Sequence, residues 1–113
     1  VKDAAAGART HFALVGEDVG TAIRMVPLFD AAGATAEADA VYRLAREPLA
    51  AVLRDHPDAA VYHNDLAWQA ANCRRELDDA LTHARRAAAL APDNTSYADT
   101  LAEVHFRRGE RAK

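Results

Sequence analysis

Residues Asn64–Gly109 read NDLAWQAANCRRELDDALTHARRAAALAPDNTSYADTLAEVHFRRG, and this stretch decides the fold. Leu66-Ala67-Trp68 leads through the polar break Cys73-Arg74-Arg75-Glu76 to Leu77-Asp78-Asp79-Ala80-Leu81, then to His83-Ala84, Ala87 and Ala91-Pro92-Asp93-Asn94. A second cycle opens at Asp99-Thr100-Leu101-Ala102 and reaches Gly109. The interval from Leu66-Ala67 to Leu101-Ala102 is 35 residues. Periods of roughly 20 to 50 residues mark chains built by stacking one small unit on the next. The stretch therefore reads as one full helical hairpin followed by the first helix of another.

The composition agrees with a helical reading. The chain has 113 residues, of which 50% are hydrophobic and only 6% aromatic, with 5 glycines. Much of the apolar content is alanine, the best helix former and a residue small enough to let two helices pack closely. One all-α domain is expected over residues 1–113. The formal charge of −3 leaves no basic footprint for nucleic acid. The first 66 residues carry six basic and ten acidic groups and the remainder eight and seven, so charge does not segregate. No uninterrupted apolar run is long enough to span a bilayer, so no membrane insertion is expected. No charged-then-apolar leader opens the chain. It begins at Val1 without Met, which reads as a piece of a longer protein. The compartment is left open, a cytoplasmic setting being favoured over export.

Working outward, Lys2 to Val15 is compatible with an N-terminal helix, with Ala5, Ala8, Phe12 and Val15 on one face. Gly16-Glu17-Asp18 supplies a break. A helix is predicted from about Asp18 to Ala32, kinked near Ile23 to Val26 by Pro27 and closed by Gly33 as its left-handed C-terminal residue. The next opens with Thr35 as N-cap and Glu37 and Asp39 in its first turns, and Pro48 is expected to bend or split it. His56-Pro57-Asp58 ends it. Further helices are predicted over Ala59 to Asn72, Leu77 to Leu90 and Thr95 to Arg108.

Residues from about Asp18 to Gly109 resemble a tetratricopeptide repeat array of the bacterial type. Leu66-Ala67 and Leu101-Ala102 resemble the family's Leu-Gly pair, Ala80 and Ala87 its small contact residues in the second helix, and Pro92 its closing proline. Gly33 and Gly109 match its turn glycine. The resemblance implies a right-handed α-solenoid of antiparallel helix hairpins, about two and a half repeats plus the N-terminal helix. The divergent repeat would span residues 18–57, the best match 59–92 and a truncated repeat 95–113. Two departures stand out: the turn at Cys73 to Glu76 lacks glycine and has one extra residue, and the divergent repeat's second helix is extended. The last repeat lacks its second helix, so a neighbouring segment of the parent protein, or a second copy of the chain, is expected to cover the apolar face of its first.

The resemblance also implies a function. Repeats of this family act as adaptors whose first helices line a groove that receives a peptide or a partner's helix. The groove-facing positions are Ile23, Pro27 and Asp30, then Asn64, Trp68 and Asn72, then Asp99, Glu103 and Arg107. Trp68 is the strongest anchor, offering a large apolar face and one donor, although it can equally serve as a wedge between neighbouring helices. Asn64 and Asn72 suit hydrogen bonding to a peptide backbone, and Asp99 and Glu103 share a face that attracts a basic segment. Plain solvated helix surface is the bland account of these four.

Enzyme readings fail on spacing. His11, His56, His63, His83 and His105 form no His-Glu-x-x-His pattern and no close pair on one helix turn, so no metal site is expected. Gly16 and Gly20 make no phosphate loop. Cys73 is the only cysteine, which excludes an intramolecular disulfide. Arg74 and Arg75 beside it could lower its pKa, but no base is positioned for it, and a half-buried packing residue is the plainer account. Asn94-Thr95-Ser96 fits the glycosylation pattern and equally a loop-to-helix junction. No enzyme activity and no cofactor are expected. The reading is a scaffold for a protein or peptide partner; the rival is a structural or self-associating segment of a larger enzyme or secreted assembly.

Overall fold

The computed structural model describes residues 19–109. The expected helix over residues 2–15 and the break at Gly16-Glu17-Asp18 lie outside the described residues. Within them stand five α-helices and no strand: α1 (Val19–Ala31), α2 (Thr35–Asp55), α3 (Ala60–Cys73), α4 (Leu77–Leu90) and α5 (Thr95–Arg107). The fold is all-α, as the composition requires.

The helices pack in a fixed order. α1 lies beside α3 and α3 beside α5, forming one row, while α2 packs on α1 and α3 and α4 packs on α3 and α5. The backbones of α2 and α4 do not meet. The main core joins Val26 and Phe29 of α1, Val41 and Tyr42 of α2, Leu81 of α4 and Val104 of α5 around Ala67, Ala70, Ala71 and Cys73 of α3. An alanine removes only one methyl from water, so such a core depends on close approach of many small residues rather than on a few large ones. α2, at 21 residues, outruns this core. Its far end makes a second cluster, in which Leu49 and Leu53 meet Leu66, Ala59 and Tyr62.

Both prolines are accommodated without a break. α1 continues through Pro27 and α2 through Pro48, so of the two outcomes expected at Pro48, a bend or a split, the split does not occur. Each proline leaves one carbonyl of the preceding turn without its helical donor. Core residues hold the helix on either side: Val26 and Phe29 in α1, Ala45 and Leu49 in α2.

The turn after α1 corrects a second expectation. Gly33, at φ 78°, donates to the Asp30 carbonyl, and Ala34 donates to the Phe29 carbonyl, the paired bonds that satisfy a helix C-terminus through one left-handed residue. Ala34 also accepts the first bond of α2, from Ala38. The link is so short that Ala34 closes one helix and caps the next, which places Thr35 already inside α2 and leaves the cap without a side-chain bond.

α3 ends by the same bonding, Arg74 donating to Ala71 and Arg75 to Ala70, but the left-handed residue is Arg74 at φ 56°. Glu76, at φ 50°, then caps α4. Counted from the left-handed residue, this turn is one residue longer than the turn after Gly33, and the extra position is itself left-handed.

The links between hairpins repeat in geometry. His56-Pro57-Asp58-Ala59 and Ala91-Pro92-Asp93-Asn94 stand 35 residues apart. His56 (φ −133°, ψ 72°) and Ala91 (φ −141°, ψ 73°) end their helices alike. In each link the first residue donates four back along the helix and the fourth donates to the first residue's carbonyl. Asn94 adds a cap, its side chain accepting from the Tyr97 amide at 3.2 Å. Among the described residues, two side chains of α3 are misfits: Gln69 is 0% exposed with neither amide atom partnered, and Asn64 Oδ1 is buried without a partner.

Candidate functional site

The row α1–α3–α5 places the expected groove residues as follows. Trp68 is 38% exposed on α3. One turn on, Asn72 donates from Nδ2 to the Trp68 carbonyl at 2.9 Å and accepts weakly at Oδ1 from Arg107 Nη2 of α5 at 3.5 Å. Arg107 Nε in turn donates to Glu103 Oε2 at 2.6 Å. Asn72, Arg107 and Glu103 thus form one chain of side-chain contacts across α3 and α5, which reaches Trp68 through its backbone carbonyl. Asp99 is exposed one turn before Glu103, and Asn64 is half-buried one turn before Trp68 with its Oδ1 unpartnered. On α1, Ile23 is half-buried and Pro27 exposed.

Asp30 is exposed on α1 and already engaged by an arginine. Arg75 donates to both its carboxylate oxygens at 2.9 Å, to Asp39 Oδ1 at 2.7 Å and to the Cys73 carbonyl at 2.8 Å. A bidentate guanidinium–carboxylate pair is among the stronger charge-assisted contacts. Here it fastens α1 and α2 to the turn after α3. The Arg75 hydrogen bond holds the Asp30 carboxyl below the usual range against the opposing pull of burial, and Asp30 raises the Arg75 pKa in return. Next to this clasp, Glu76 Oε1 accepts from the Tyr42 hydroxyl at 2.7 Å and pairs with Arg46 Nε at 3.1 Å. Burial, then Glu76, pushes the Tyr42 hydroxyl above its ordinary value. A surface hollow opens here, lined by Asp39, Tyr42, Arg43, Arg46, Glu47, Arg75 and Glu76. Its charged groups, Arg43 apart, are already matched within the chain.

Cys73 is not half-buried but 1% exposed, and its thiol donates to the Ala22 carbonyl at 3.8 Å. Burial pushes it up to about 12, outweighing the opposing effect of Arg75. A thiol so placed stays protonated and unreactive near neutrality.

Two of the histidines meet across helices, a contact on which spacing along one helix is silent. His63 of α3 and His83 of α4 meet with Nδ1 atoms 2.9 Å apart, and His63 Nε2 lies 2.7 Å from the Pro57 carbonyl. Burial first, then His63, lowers the His83 pKa. The two residues are 20 apart in sequence, so no local motif announces them. The signal lay in the hairpin: positions equidistant from Cys73 face one another once α3 and α4 are antiparallel. The Arg75 clasp had no such signal, since its acceptors come from α1 and α2.

Among the described residues no group of three or more His, Cys, Asp or Glu could hold a metal ion, and no helix is long and apolar enough to cross a membrane. Comparison with known proteins finds no family model, no curated protein and no solved structure that matches the chain.

Proposed function

We propose that residues 19–109 form a tetratricopeptide-repeat-like array, a right-handed solenoid of helix hairpins, that serves as a protein–protein interaction scaffold. The partner is an extended peptide or a helix lying along the row α1–α3–α5. The observation that carries the reading is the joined cluster Trp68–Asn72–Arg107–Glu103 on two neighbouring helices of that row. The 35-residue recurrence of the Pro-Asp links and the absence of backbone contact between α2 and α4 support the repeat architecture. A half-exposed tryptophan one helical turn from Asn72, which Arg107 reaches, combines a residue type that dominates binding energy with polar groups that fix orientation.

Peptides selected from a random display library test this reading. Those enriched on the wild-type chain should bind with a Kd on the order of micromolar and lose about tenfold or more on Trp68→Ala, with helicity unchanged. Peptides held equally by wild type and Trp68→Ala would remove the groove from consideration.

A second reading, self-association, is favoured by one observation: Phe106 is 65% exposed on α5, on a face with exposed Ala98 and Ala102. A dimer seen by light scattering and dissolved by Phe106→Glu would move the weight to this reading.

A further inference from the structure

Among the described residues, the His63–His83 pair is a contact of two metal-ligating side chains that the proposed scaffold does not use. Its proton positions follow from its partners. A carbonyl can only accept, so His63 Nε2 donates to the Pro57 carbonyl, and a neutral His63 then carries its lone pair on Nδ1. At 2.9 Å the facing His83 Nδ1 must supply the single shared proton. His63 is thereby fixed in the tautomer, and by the kind of carbonyl partner, that metal-ligating histidines use to aim the opposite nitrogen.

We propose that His63 and His83 form a two-histidine binding site for a divalent transition metal of square-planar preference, Cu(II) or Ni(II). The metal takes the place of the shared proton between the two Nδ1 atoms, with water completing its coordination. The spacing is that of a hydrogen bond, and it is also one that two donors of a right-angle metal edge keep with little movement. With metal–nitrogen bonds of about 2.0–2.1 Å, two donors at a right angle stand about 2.9 Å apart, whereas two donors at the tetrahedral angle stand about 3.4 Å apart. The observed 2.9 Å is the right-angle edge. The rings, inclined at 35° with centroids 5.1 Å apart, turn so that the His63 Nδ1 lone pair, and the His83 Nδ1 lone pair freed once its proton has moved to Nε2, aim at a common point.

The proton count closes. On binding, His83 moves its proton from Nδ1 to Nε2, both imidazoles stay neutral, and neither proton is lost. The surrounding charges are mixed: Asp79, on the same face of α4 as His83, and Glu76 favour a cation, while Arg46 opposes it. The site spans the α3–α4 hairpin, so an occupied metal ties the two helices together and stabilises the folded chain in proportion to its occupancy.

The test is titration of the intact chain with Cu(II) chloride, glycine being present as a weak competitor to suppress looser sites. The expected result is one Cu(II) per chain with an electron paramagnetic resonance spectrum split by two nitrogens. The melting temperature should rise on the order of 5 °C, and affinity should fall at least tenfold, about 1.4 kcal/mol, in both His63→Ala and His83→Ala. His56→Ala should leave binding unchanged, and Zn(II) should bind more weakly. Because His83→Ala can disturb packing, a residue-specific readout on the wild-type chain stands beside it: sub-stoichiometric Cu(II) should broaden the backbone signals around residues 63 and 83 before any others. No saturable binding by the wild type, binding retained by either pair variant, or broadening centred elsewhere would overturn the site and leave the contact an ordinary histidine–histidine hydrogen bond.

Discussion

Arg74 and Glu76 hold left-handed backbone angles, φ 56° and 50°, that side-chain-bearing residues rarely adopt. The two differ in what they gain. Glu76 uses the conformation to reach Tyr42 and Arg46. Arg74 is exposed, and its side chain makes no such bond among the described residues. Arg74→Gly should therefore stabilise the chain by about 1 kcal/mol, since glycine removes the Cβ conflict at that angle. Glu76→Gly should destabilise it despite relieving the same conflict. Urea midpoints at pH 7 measure both, and a fall for Arg74→Gly would refute the account. At this scale the sequence was partly legible. Gly33 announces its left-handed role by its type alone, because glycine at a helix end has few other uses. Arg74 does not, because nothing in an arginine announces positive φ.

At the scale of elements, the boundaries of the helices were readable because alanine-rich runs alternate with Pro-Asp and polar clusters, each with its own reason to stop a helix. The fastening between elements was not. Arg75 binds Asp30 of α1 and Asp39 of α2, 45 and 36 residues away, and side chains so distant are matched only by packing. This clasp sets an acid response. Asp30 has a folded pKa below its ordinary 3.8, chiefly through the Arg75 hydrogen bond. A depressed carboxylate adds stability that is present above the unfolded value and lost as pH falls through the folded one. Urea midpoints should therefore drop as pH is lowered from 4 through the folded value, about 4 being the unfolded carboxylate's range. Asp30→Asn should flatten that part of the profile while lowering stability at pH 7. An unchanged profile in Asp30→Asn would show that other carboxylates carry the acid response.

At the scale of the molecule, α3 is the hub, since it alone packs against all four other described helices. A stacked array gains stability from neighbour contacts and can lose its ends separately, but here each hairpin rests on the same central helix. Unfolding should then be a single transition. Trp68 of α3 is the only tryptophan, so its fluorescence reports the hub while far-UV circular dichroism reports all helices. The two curves should coincide in urea; a helicity loss preceding the fluorescence change would mean that the outer helices melt on their own.

The sequence by itself determined that this chain is helical, where its helices start and stop, and that Trp68, Asn72, Glu103 and Arg107 stand at related positions of a repeating pattern. These follow from propensity, breakers and periodicity, which act over a few residues. Only the tertiary structure decided that Asp30 pairs with Arg75, that Cys73 is buried and inert, and that His63 meets His83. Each depends on the register with which one helix lies against another. That register is fixed by how small residues interlock across the whole core, and local sequence does not encode it.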